Sequence, residues 1–159
     1  MMQTETKVSL YEQDFALWIE DVAAKLKTRD FDNLDVDNLL EEIEALGKSQ
    51  KRELKSRLQT LLAHILKRIY VDSPLDYNGW ERTIREQRKE LRLLFEQSPS
   101  LRNYYIEVFS GVWEAALLEV KQEYKKTQFP DQWQFSSDAD VVLIEEFWEE
   151  VRSNKIPLN

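Results

Sequence analysis

Apolar side chains return at intervals of three and four residues through most of this chain, and little interrupts them. There are only three glycines, Gly47, Gly79 and Gly111, and four prolines, Pro74, Pro99, Pro130 and Pro157. Such spacing gathers apolar groups on one side of an α-helix, whereas a half-buried strand would need strict alternation. With so few breakers, the helices are expected to be long. A first helix is predicted from Ser9, which stands at capping-box spacing from Glu12, to about Lys27, with Tyr11, Phe15, Trp18, Ile19, Val22 and Leu26 on its apolar side.

An acidic connector from Thr28 to Asp35 follows, and then Asp37 as a good N-cap. Leu39, Leu40, Ile43 and Leu46 form a stripe that ends at Gly47. A second stripe, Leu54, Leu58, Leu61, Leu62, Ile65, Leu66 and Ile69, continues to Tyr70. This region is either one long helix over 38–70 or two helices broken around Gly47 to Ser49, and a continuous or kinked helix is the preferred reading. Asn78, with Glu81 in the reciprocal position, is read as the cap of a third helix that buries Trp80, Ile84, Leu91, Leu94 and Phe95 and stops at Ser98 and Pro99. A fourth runs from about Ser100 to Lys126, with Leu101, Tyr104, Tyr105, Val108, Phe109, Val112, Trp113, Ala116, Val120 and Tyr124 along it. A last helix is predicted from Ala139 to Arg152, because Ile144, Phe147, Trp148 and Val151 keep the helical rhythm. The expectation is an all-α, single-domain bundle of about five helices with a long second helix, occupying 1–159 with flexible ends at 1–8 and 153–159.

A length of 159 residues suits one domain, and 42% apolar residues supply a core. The absence of cysteine excludes disulfides, zinc–thiolate sites, iron–sulfur clusters and cysteine nucleophiles. The opening MMQTETK lacks the apolar stretch of a secretory signal, and LLAHIL and VVLI fall far short of the roughly 20 residues of a membrane span, so a cytoplasmic location is expected.

The order of YEQDFALW, LDVDNLLEEIEALGKSQKRELKSRLQTLLAHILK, WERTIREQR and EQSPSLR resembles a bacterial family common in cyanobacteria and known as domain of unknown function 29. The resemblance spans roughly residues 10 to 135. It implies a helical bundle in a bacterial cytoplasm and carries no activity with it.

Residue chemistry narrows the function by exclusion. His64 is the only histidine and shares a helical line with Arg57, Leu61 and Arg68. Zinc would need further ligands, and a nucleophile–base pair would need a carboxylate to orient the ring, so a structural role for a neutral imidazole is expected. Asp30, Asp32 and Glu41 stand at positions 1, 3 and 12 of a calcium loop, but Leu34 and Asp35 occupy positions 5 and 6, where an oxygen ligand and a glycine belong. The Glu-x-x-His pairs of di-iron bundles are missing, and three scattered glycines build no phosphate loop. No catalytic residue, metal site or cofactor is therefore expected.

Charge is what remains for recognition. The net charge of −8 divides into blocks: residues 1–47 hold 4 basic and 12 acidic side chains, residues 48–102 hold 13 and 7, and residues 103–159 hold 5 and 11. Lys48, Lys51, Arg52 and Lys55 share one face of the second helix, and Arg82, Arg85, Arg88, Lys89 and Arg92 fall within an arc of about 120° on the third. If the two faces adjoin they make a basic ridge for phosphates or an acidic protein; the plainer account is that they pair with the chain's own acidic blocks. Asp30, Asp32, Asp35, Asp37, Glu41 and Glu42 form an acidic patch, of which Asp35 and Asp37 also suit helix capping. The leading expectation is a non-enzymatic helical regulator that binds another protein, its acidic patch acting as an inhibitor or adaptor of a nucleic-acid-processing enzyme. The alternative is an RNA or DNA accessory module using the basic ridge.

Overall fold

The computed structural model describes residues 8–152. Among them there is no strand, and seven helices form: α1 (Leu10–Gln13), α2 (Phe15–Lys27), α3 (Val36–Tyr70), α4 (Pro74–Gln97), α5 (Leu101–Glu123), α6 (Ala139–Val142) and α7 (Phe147–Arg152). Apart from Val8, the ends expected to be flexible lie outside the described residues. The all-α expectation holds, and α3 is the long second helix, unbroken through Gly47.

The helix count exceeds five because two expected helices are each divided. The first divides at Asp14, whose extended backbone (φ −153°, ψ 93°) ends α1 while its carboxylate accepts from Leu17 N at 3.0 Å and caps α2. Ser9 caps α1, as its spacing to Glu12 predicts. The second division lies at 143–146, where arginines described below take the backbone carbonyls. Boundaries also move, α5 ending at Glu123 instead of Lys126. α4 begins at Pro74 instead of Asn78, because a proline loses nothing at a first helical position whose N–H has no partner within the helix. At the start of α3 it is Asp35, one residue outside the helix, that accepts from Asn38 N at 3.4 Å, while Asp37 sits within the first turn.

The described residues fall into two compact units, 8–48 and 49–152, whose boundary lies within α3. In the second unit, Leu54, Leu58, Leu61, Leu62, Ile65 and Leu66 of α3 are fully or almost fully buried in one core with Ile84 and Leu91 of α4, Tyr105 and Val120 of α5, and Val142 and Phe147 beyond. Trp133 anchors the segment between α5 and α6 in this core. Its ring centroid lies 5.9 Å from Phe109, 5.5 Å from Trp113, 5.1 Å from Phe135 and 5.4 Å from Phe147, all edge-to-face arrangements that suit aromatic quadrupoles.

The first unit is built with far less. Among its described residues only Trp18 and Val22 are buried hydrophobics. Trp18 Nε1 donates to Asp35 at 3.0 Å, and the Tyr11 hydroxyl donates to Glu42, so α1 and α2 are tied to α3 largely by polar contacts around one indole.

Candidate protein interaction surface

The basic ridge expected from the sequence loses one member to the interior. Arg88 is buried, 6% exposed, and its guanidinium donates to Val142 O at 3.0 Å, Ile144 O at 3.4 Å and Glu145 O at 2.5 Å. Arg92 donates to Leu143 O at 2.7 Å. These carbonyls lie at and just beyond the end of α6, where a helix leaves acceptors without partners, and two cations supply the missing donors. Burial, and then the Arg92 charge, lower the Arg88 pKa to about 10, which leaves it protonated near neutrality. Removing Arg88 from the expected ridge is thus a correction, with a signal in the sequence: Ile84, Arg88, Leu91 and Phe95 share the four–three–four spacing of a core stripe.

The cations of α3 neighbour both α4 and α5, and Arg52 shares one surface cleft with Arg57 and with Gln87 of α4. α3 reaches α4 through Arg57, which donates to Gln87 at 3.2 Å, and through Arg68, paired with Glu81 at 3.3 Å. Lys51, from the basic face of α3, instead lies 5.1 Å above the Tyr104 ring of α5. Internal pairing falls on other cations: Arg57 with Glu53, Lys67 with Glu123, Arg102 with Asp140. Among the described residues, Lys48, Arg52, Lys55, Arg82, Arg85 and Lys89 are exposed and enter no ion pair.

The acidic patch is partly consumed in the same way. Asp35 accepts from Asn38 Nδ2 at 2.8 Å and from Trp18, and these bonds, the Asn38 one foremost, hold its carboxyl below the usual range. Glu42 holds the Tyr11 phenol and raises its pKa to about 12. Asp30 is occupied by Asn33 at 3.0 Å. Asp32, Asp37 and Glu41 remain exposed and without ion pairs among the described residues.

What sequence reasoning did not foresee is apolar. Leu40, Ile43 and Leu46, read as inward-facing, are 52%, 56% and 68% exposed, and Phe15, Ile19 and Leu26 of α2 are exposed by nearly half. On α3 these leucines and the isoleucine share an arc of about 120° with Val36, also exposed. Glu44 and Asp37 stand within about 60° of Leu40 on the same helix. The periodicity was visible in the sequence; that no described residue covers it was not.

His64 is half-buried, with Nδ1 2.8 Å from Thr60 O. Its pKa is lowered, chiefly by burial, with the Lys67 charge adding to it, which suits the neutral imidazole expected. A folded pKa below 6.5 means the unfolded chain binds more protons between the two values. Stability is then fully present above pH 6.5 and declines as pH falls through that window to the folded value. Urea midpoints between pH 8 and pH 5 should show this decline, and His64→Gln should flatten it; an unchanged slope would assign it to other groups.

A family model described as a domain of unknown function, DUF29, matches residues 10–148. No curated protein and no solved structure matches the chain.

Proposed function

Since the chain belongs to the DUF29 family, which brings no activity with it, we propose from its own residues that it is a non-enzymatic helical regulator or adaptor that docks a protein through residues 8–48. One observation carries this reading: six large apolar side chains, Phe15, Ile19, Leu26, Leu40, Ile43 and Leu46, stand exposed on two well-formed helices. An exposed set of this size, edged by charge, is a typical protein-binding surface. The titratable groups support it from the other side. Those with marked shifts are engaged inside the fold: Asp35 by Trp18 and Asn38, Tyr11 by Glu42, Arg88 by backbone carbonyls, and Tyr105 by Ser137 O at 2.8 Å.

Affinity enrichment from bacterial cytosol with the natural chain and with Ile43→Asp/Leu46→Asp tests the reading. A saturable partner should be retained by the first and weakened about a hundredfold or more in the second, about 2.7 kcal/mol, with far-UV circular dichroism unchanged. Equal retention by both forms overturns the reading. A second reading, an RNA or DNA accessory module, rests on the unpaired cations of α3 and α4; it requires affinity for nucleic acid that falls steeply with salt.

A further inference from the structure

Resting on the docking surface just proposed, the nature of its occupant follows from charge and shape. We infer that the exposed apolar face of residues 8–48 receives a cationic amphipathic helix of another protein, its apolar stripe lying on Leu40, Ile43 and Leu46 and its lysines and arginines meeting carboxylates along the edge.

Three features of the surface select this occupant. The first is its shape. The exposed apolar residues of α3, Val36, Leu40, Ile43 and Leu46, run along the helix at spacings of three and four, a pattern that accepts the side chains of a further helix as ridges into grooves. The second is the balance of charge: residues 8–48 contain eleven carboxylates and four basic side chains. The third is that these carboxylates are not neutralised from within. Among the described residues, Lys25–Asp21 at 2.8 Å is the one ion pair of this unit, and Asp37, Glu41 and Glu44 have none. A positively charged partner gains attraction at that edge and a faster encounter, whereas an acidic helix meets repulsion. A second copy bound symmetrically by the same face would bring the carboxylates of Asp37 and Glu44 towards those of its mate, like charge to like.

The test uses the full chain and two synthetic helical peptides of about 18 residues, five turns. Both carry leucines at i, i+3, i+4 and i+7; one is flanked by lysines and the other has every lysine replaced by glutamate. Fluorescence anisotropy should give the lysine-flanked peptide at least about tenfold higher affinity, the sum of several exposed pairs of a few tenths of a kcal/mol each. Asp37→Asn/Glu44→Gln should narrow that gap from both sides, weakening the lysine-flanked peptide and easing the repulsion of the glutamate peptide, and raising salt should narrow it too. Ile43→Asp/Leu46→Asp should abolish binding of both peptides, circular dichroism showing that α3 is intact. Equal affinity for the two peptides overturns the cationic assignment and leaves apolar docking standing. Failure of both to bind, while a cytosolic partner is still lost on Ile43→Asp/Leu46→Asp, overturns the helix and again leaves docking standing. Self-association in sedimentation velocity that this substitution abolishes makes a second copy the occupant and overturns the inference. Binding to zwitterionic vesicles through the same residues overturns it in favour of a lipid surface.

Discussion

Arg88→Met is expected to lower the unfolding free energy by about 3 kcal/mol, because it strips a buried cation from three backbone carbonyls and leaves them without a donor. Methionine keeps most of the aliphatic stem, so the loss reports on the guanidinium more than on packing. Urea denaturation measures the energy, and limited proteolysis should show new cleavage around 143–146, the stretch these carbonyls pin to α4. Arg88→Lys should recover only part, since one ammonium cannot reproduce the planar fork that reaches three carbonyls. Arg82→Met and Arg85→Met, on the exposed side of the same helix, should stay within about 0.5 kcal/mol of the natural chain. A loss below about 1 kcal/mol with unchanged proteolysis would mean that water replaces the guanidinium and that the chain break has another cause.

That arginine also marks the limit of what the sequence discloses. Helix type and the second unit's core are legible because periodicity is a local property: Leu54, Leu58, Leu61, Trp80, Ile84, Leu91, Phe109 and Val112, all read as inward, are buried. The break between α6 and α7 is not legible, since it depends on a donor more than fifty residues upstream capturing Val142, Ile144 and Glu145. Continuing the helix across it made Ile144 an inward residue, and it is 64% exposed. The expected charge surfaces each lose members for a related reason. A wheel sorts side chains by direction on one helix, but Arg88, Asp35 and Glu42 each find partners on other elements and so leave the surface available to a ligand. The apolar face of residues 8–48 is the converse: the pattern predicts a stripe to be covered, and among the described residues none covers it.

Trp18→Ala should separate the two units. In the larger one a single truncation costs a few kcal/mol against a core drawn from four or more helices. In residues 8–48, Trp18 and Val22 are the only buried hydrophobics, and the indole touches Tyr11 at 4.7 Å, Phe15 at 5.6 Å and Asp35 at 3.0 Å. Truncating it costs about 3–5 kcal/mol, a large share of what so small a core supplies, and it strips Asp35 of the Trp18 donor. The expected result is loss of hydrogen-exchange protection confined to α1, α2 and the first turns of α3, with α4 and α5 protected as in the natural chain. Binding of the lysine-flanked peptide should disappear with it. In the natural chain the same peptide should raise protection in this unit, because a partner that covers Leu40, Ile43 and Leu46 adds the apolar burial the unit lacks and binds the folded form alone. Uniform loss of protection across both units would show that they unfold as one, and protection unchanged by the bound peptide would show that the small unit is complete without a partner.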